Sequence, residues 1–366
     1  MRCAAAFLSF GIVAAPLAAQ DSVSVRVVPD SVTCGECSLQ VTAIVEIGDR
    51  DGPGILGEQA HVARADDGDY YAFSFMQMGR LLRFSPEGEF QEAIGRTGEG
   101  PGEYITPALL RGTADSLTIL DTQGFRLTTI RGGEVATWTV PFVAGTWAFL
   151  PGGRHVFNGM SFEPDRAGYP LHVYDLADRR VTHSFGGEGD RVDQGPGRRQ
   201  PQRRLVAAAA DGNVWAAHGN RYRIDKWSPD GDRIARIDRD APWFRPWEEW
   251  PGLDYEVRPE PAIVGVRDWG DGILMVVVRV PDANWRPIEP TLVPLPDHET
   301  VEPMQEHELY DTVIEILDTR SGTVLGRTQV DVRVDRLIGQ DGFYSYAEHS
   351  EMGEAKYIVW SVDLSG

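Results

Sequence analysis

The chain has 366 residues and carries 35 Lys and Arg against 55 Asp and Glu, a formal net charge of −20. So acidic a surface is repelled by phosphate backbones, which excludes nucleic acid as a partner. The length would allow two domains, but closed all-β folds commonly reach it as one.

In chain order, residues 1–20 are the first predicted element. Met1-Arg2 precedes an apolar run from Ala4 to Pro16, and Leu17-Ala18-Ala19-Gln20 offers small residues for cleavage. The run has the length of a signal-peptide core and is too short to span a bilayer. The expectation is a secreted or periplasmic protein. Cys3 precedes the apolar core instead of following it, so a lipid anchor is not expected. No later stretch approaches ~18 uninterrupted apolar residues, so no transmembrane segment is expected after signal removal.

Cys34-Gly35-Glu36-Cys37 comes next. In an oxidising compartment this spacing closes a small disulfide loop. A redox motif would want a following helix to lower the thiol pKa, whereas Ser38 to Val45 alternates like a strand. A zinc site would want two more ligands, and no second Cys pair or close His pair is present.

From residue 61 the sequence repeats. An apolar run leads into Asp66-Asp67-Gly68-Asp69, then Tyr70 to Phe73, Arg80 to Phe84, Ser85-Pro86-Glu87-Gly88 and Glu89 to Gly95. Asp-Gly and Pro-x-Gly turns joining alternating runs read as strand–turn–strand. The same order returns at 203–240, with Asp211-Gly212-Asn213 and Ser228-Pro229-Asp230-Gly231 in the matching places. Looser copies lie at 109–140, 149–187, 262–331 and 337–364. Arg198, Arg199, Arg203 and Arg204 form a basic cluster broken by Pro and Gln, expected as a solvated loop.

The last copy stops after three strands, and its fourth is expected at the other end of the chain. Ile94-Gly95 is followed by Gly100-Pro101-Gly102, and Ile47-Gly48 by Gly52-Pro53-Gly54; Gly187 with Gly195-Pro196-Gly197 is a looser third copy. The run before Gly48 therefore reads as the outer strand of the C-terminal unit. The predicted fold is all-β: a six-bladed β-propeller over residues 21–366, one domain, closed by the N-terminal strand 38–48 joining the last blade. A β-sandwich also accommodates many short strands, but it predicts neither the repeated tetrapeptides nor a split first-and-last unit.

The signal stretch, the Cys-x-x-Cys start and the run Ile94 to Tyr104 (IGRTGEGPGEY) with its partial copies give the chain a resemblance to the bacterial secreted six-bladed propellers related to NHL repeats. The resemblance spans nearly the whole mature chain. It implies fold and export; the Gly-Pro-Gly motif marks a connection between blades, and the resemblance implies no reaction.

No nucleophile elbow, His-Glu-x-x-His or phosphate loop is present, and the sequence leaves the cofactor unknown. Asp49 to Gly52 and Asp66 to Asp69 resemble calcium loops but lack the later Glu, and are expected as turns. The unusual stretches are Pro242 to Pro251 and the insertion Pro281 to Glu308. Trp243, Arg245, Trp247, Trp250 and Trp285 are the candidate ligand-binding residues, since tryptophan beside charge suits a sugar ring or a peptide. The expected function is an exported, non-catalytic binding propeller, a monomer whose partner is a glycan, a peptide or an envelope protein. The alternative is a metal-dependent lactonase- or lyase-like hydrolase. It would hold a metal on the axis through His61, His155, His218 and His349, which fall in four different units.

Overall fold

The computed structural model describes residues 23–187, 191–193, 199–201, 203–248, 256–287, 292–294, 299–301, 309–349 and 354–366. The expected signal stretch, Gly195-Pro196-Gly197 and Trp250 lie outside the described residues.

The chain folds as a six-bladed β-propeller. Blade one is His61–Arg64, Tyr70–Phe73, Leu81–Phe84 and Phe90–Ile94; blade two is Pro107–Thr113, Ser116–Asp121, Arg126–Arg131 and Glu134–Thr139. Blade three is Phe142–Leu150, Arg154–Ser161, Leu171–Asp175 and Arg180–Phe185. Blade four is Arg204–Ala208, Val214–His218, Arg223–Trp227 and Arg233–Arg239. Blade five is Ala262–Gly270, Ile273–Pro281, Tyr310–Asp318 and Thr323–Val330. Within each blade, neighbouring strands are antiparallel.

Blade six takes Val334–Ile338, Gly342–His349 and Glu354–Ser365 from the C-terminus. Its fourth strand is Ser38–Ile47, antiparallel to Glu354–Ser365 from Ser38 opposite Ser365 to Ile47 opposite Tyr357. The disulfide between Cys34 and Cys37 stands immediately before this strand. It lies against the C-terminal Gly366, where other blades have a hairpin turn.

The turns follow from their residues. Gly88 and Gly231 hold φ of 88° and 96°, and their amides bond the Ser85 and Ser228 carbonyls at 2.9 and 3.0 Å. The two Ser-Pro-x-Gly tetrapeptides thus make the same turn in blades one and four. Gly48 and Gly95 turn the chain out of blades six and one at φ of 108° and 82°. A Cβ at Gly95 would stand 2.5 Å from the Tyr104 ring, so this bend admits only glycine.

Six apolar clusters hold the ring, one at each junction between adjacent blades. The junction between blades six and one is built like the rest: Tyr344, Tyr357 and Val359 pack on Val62, Tyr70, Leu82 and Phe84. First strands of neighbouring blades touch at most junctions, which places those strands around the axis.

One strand was not expected. Ser24–Val28 adds to the outside of blade four, parallel to Arg233–Arg239. Residues 29–37 then cross the rim of blade five, where Val32 bridges Val324 and the Thr33 amide donates to the Val324 carbonyl at 2.9 Å. The N-terminal segment is therefore a belt over blades four and five that ends as a strand of blade six.

Candidate functional site

Antiparallel strands sort the loops. First-to-second and third-to-fourth connections leave at one end of the ring, and second-to-third and blade-to-blade connections at the other. The first end carries short turns such as 65–69, 151–153 and 209–213, and is called the turn face here. The other end carries 48–60, 74–80, 95–106, 162–170, 186–203, 240–261 and 282–309, and is the loop face.

Exposed apolar side chains gather on the loop face over blades one to three. Phe75 is 66% and Met78 69% exposed, and Met76, Ile105, Phe125 and Phe162 are also exposed. Phe125 and Phe162, from neighbouring blades, meet edge to face at 5.3 Å. Among the described residues, no exposed large apolar side chain occupies a turn of the turn face. Apolar side chains exposed together on one face, unlike ones scattered singly, call for an explanation.

At the axis, cationic and aromatic groups from different blades meet. His61 of blade one stacks on Trp147 of blade three with centroids 5.5 Å apart. Arg336 of blade six donates from Nη1 to the Gly145 carbonyl of blade three at 3.4 Å. Blades three and six lie opposite one another, so this contact crosses the channel. Burial, then the Arg336 charge, hold the His61 imidazole well below its ordinary pKa, and its buried Nε2 has no partner. Arg203 enters at the start of blade four; desolvation and the Arg336 charge lower its pKa to about 10, so it stays charged at neutral pH. Among the described residues no carboxylate pairs with Arg203 or Arg336. The mouth is therefore a positive point on an acidic molecule.

The sequence reading of Arg204 as part of a solvated loop needs correcting, whereas Arg203 precedes the strand and is exposed. Arg204 begins the first strand of blade four and is 2% exposed, because a strand next to the axis packs against both neighbouring blades.

Among the described residues, those of the tryptophan loops are not gathered into one aromatic patch. Trp243 packs against the core between blades four and five, and its Nε1 donates to Asp30 at 3.1 Å. Arg327 lies over its ring at 5.4 Å. Trp247 donates from Nε1 to the Pro261 carbonyl at 2.9 Å. Arg245 is exposed, and Trp285 is half-buried at the start of the blade-five insertion. Trp243 thus serves an ionic knot beneath it. Buried Glu315 accepts from Arg239 at 2.8 Å, Arg327 at 2.6 Å and Tyr222 Oη at 2.6 Å, and Asp30 closes onto both guanidiniums.

The histidines are dispersed. His61 faces the channel, whereas His155, 3% exposed, lies edge to face on Phe149 at 3.8 Å inside blade three. His218 pairs with Asp225 at 3.1 Å inside blade four. His349 ends a strand of blade six, and its side chain is outside the described residues. Among the described residues no His joins a metal-ligating group; the one such group is Asp282, Asp311 and Asp331. Second-strand positions point into blade–blade cores, which is why His155 and His218 do not reach the axis.

Sequence reasoning missed Phe75, Met76 and Met78. Their signal was available, because Phe75-Met76-Gln77-Met78 stands between two strands where a polar turn belongs.

Fold and site together define a six-bladed β-propeller with an apolar loop face and a cationic axial mouth. No protein-family model and no curated protein matches the chain. Solved structures do. A Bacteroides fragilis protein designated as exported is 11% identical, with a TM-score of 0.55 over 94% of this chain and 100% of its own. A protein of unknown function from Bacteroides thetaiotaomicron is 13% identical, with a TM-score of 0.48 over 90% of this chain and 77% of its own. Virginiamycin B lyase from Staphylococcus aureus is 10% identical, with a TM-score of 0.46 over 89% of this chain and 99% of its own. At such identities the likeness is one of fold alone.

Proposed function

We propose that the protein is an exported, non-catalytic binding propeller whose loop face receives a peptide segment of a partner protein carrying a carboxylate among apolar side chains. The observation that carries this reading is the meeting, on one face, of the exposed Phe and Met side chains with the unpaired Arg203 and Arg336. Methionine and phenylalanine adapt to apolar side chains of varied shape. A guanidinium binds a carboxylate through two parallel hydrogen bonds. Arg245, on the connection between blades four and five, and Trp285, at the start of the blade-five insertion, border the same face and extend the contact area. Export fits the disulfide between Cys34 and Cys37. The lactonase- or lyase-like alternative draws no support from the positions of its histidines.

The test is an array of peptides graded in carboxylate number and apolar content, with uronic-acid and neutral glycans beside them. Peptides combining both features should bind, Arg203→Glu should abolish the signal, and Phe75→Ser with Met78→Ser should weaken it. A silent array, or binding indifferent to both changes, refutes the reading. Binding confined to glycans would move the ligand to the tryptophan loops.

A further inference from the structure

Four carboxylates among the described residues are buried: Asp121, Asp225, Glu315 and Asp311. Three have a cation against them. Asp121 has Arg126 at 2.9 Å, Asp225 has Arg223 at 2.9 Å, and Glu315 has Arg239 and Arg327. Asp311, 4% exposed, has no cationic side chain and is flanked by two further carboxylates, Asp282 and Asp331. Its Oδ2 accepts from the Gln329 amide at 2.6 Å and the Ala283 backbone amide at 3.2 Å. Its Oδ1 is buried with no donor, alone among the carboxylate oxygens of the described residues. A buried anion without a counter-charge is costly, and two like charges beside it raise that cost.

The geometry points to a calcium site formed by Asp282, Asp311 and Asp331, in which the metal supplies the missing positive charge. One ligand oxygen from each residue lies within 4.8 Å of the others. That is the widest separation two oxygens can have on one calcium ion at about 2.4 Å. The donors are all carboxylate oxygens, the set hard cations prefer.

The three residues come from three parts of blade five: Asp282 follows the second strand, Asp311 lies in the third and Asp331 follows the fourth. The Asp282 amide also donates to the Leu309 carbonyl at 2.9 Å, closing the neck of the 282–309 insertion. An ion here ties that neck to the blade and fixes the base of a loop-face element. The site stands whether or not the loop face binds a peptide.

The experiment uses the mature chain, stripped with a chelator and titrated with calcium chloride, read by equilibrium dialysis and by thermal melting. One calcium per chain should bind, with a dissociation constant of about 10⁻⁴–10⁻³ M as in extracellular modules, and the melting temperature should rise. Asp311→Asn should lose both effects while remaining folded by circular dichroism, since it removes a buried charge. Asp331→Asn, at an exposed position that cannot disturb the core, should weaken binding and serves if the first variant fails to fold. No stoichiometric uptake by the folded chain, or equal uptake and equal stabilisation in the variants, overturns the site.

Discussion

Tyr357 closes the ring with its hydroxyl. It accepts the Ala60 amide at 2.7 Å and donates to the Gly57 carbonyl at 3.0 Å, while Tyr344 donates to the Ala60 carbonyl at 3.2 Å. Tyr357→Phe strands a buried amide and should cost about 1–3 kcal/mol in urea unfolding. Glu315→Ala leaves Arg239 and Arg327 without their buried anion and should cost about 3–5 kcal/mol. The buried histidines set a pH dependence. Burial lowers His155 to about 3, and His172 and His218 to about 4. In the unfolded chain they take protons near pH 6.5. Their contribution is therefore whole above pH 6.5 and is lost as pH falls from there towards the folded values. The urea midpoint should drop between pH 7 and pH 4.5, and His155→Phe should flatten the drop.

At the scale of elements, the N-terminal belt carries the sharpest expectation. Its two strands serve different blades, so they should fail differently. Removing residues before Asp30 takes away only the added outer strand of blade four and should leave a folded ring of reduced stability. Removing residues through Ile47 opens blade six and should abolish cooperative unfolding in a calorimeter. Cys34→Ser breaks a very short loop and should cost about 2 kcal/mol or less. The blade-closing strand was legible because Ile47-Gly48 repeats Ile94-Gly95, and the repeat reflects one bend used twice. The strand Ser24–Val28 was not legible. It pairs in parallel with residues more than two hundred positions away, and its Val25 and Val27 are exposed, so no buried face marked it. The carboxylate trio was equally hidden, because Asp282, Asp311 and Asp331 are brought together only by the register of blade five.

At the scale of the whole molecule, charge is unevenly placed. The chain is strongly acidic, yet Arg203, Arg336 and a neutral His61 meet at the axis on the face that also carries the exposed Phe and Met side chains. Composition announced the acidity and missed the exception, because arginines scattered over blades four and six converge only when the ring closes. An acidic ligand steered to this mouth should bind less tightly as salt rises. The histidines show the opposite error: four units each offered one, but strand position sent His155 and His218 into blade interiors.

The most direct measurement is hydrogen exchange on the protein with and without the strongest array peptide. Binding on the loop face predicts slowed exchange in 74–80, 122–125, 162–170 and the start of blade four at Arg203–Ala208, with the turns 85–89, 151–153 and 209–213 unchanged. Protection of those turns, with the loop face unaffected, would contradict the account.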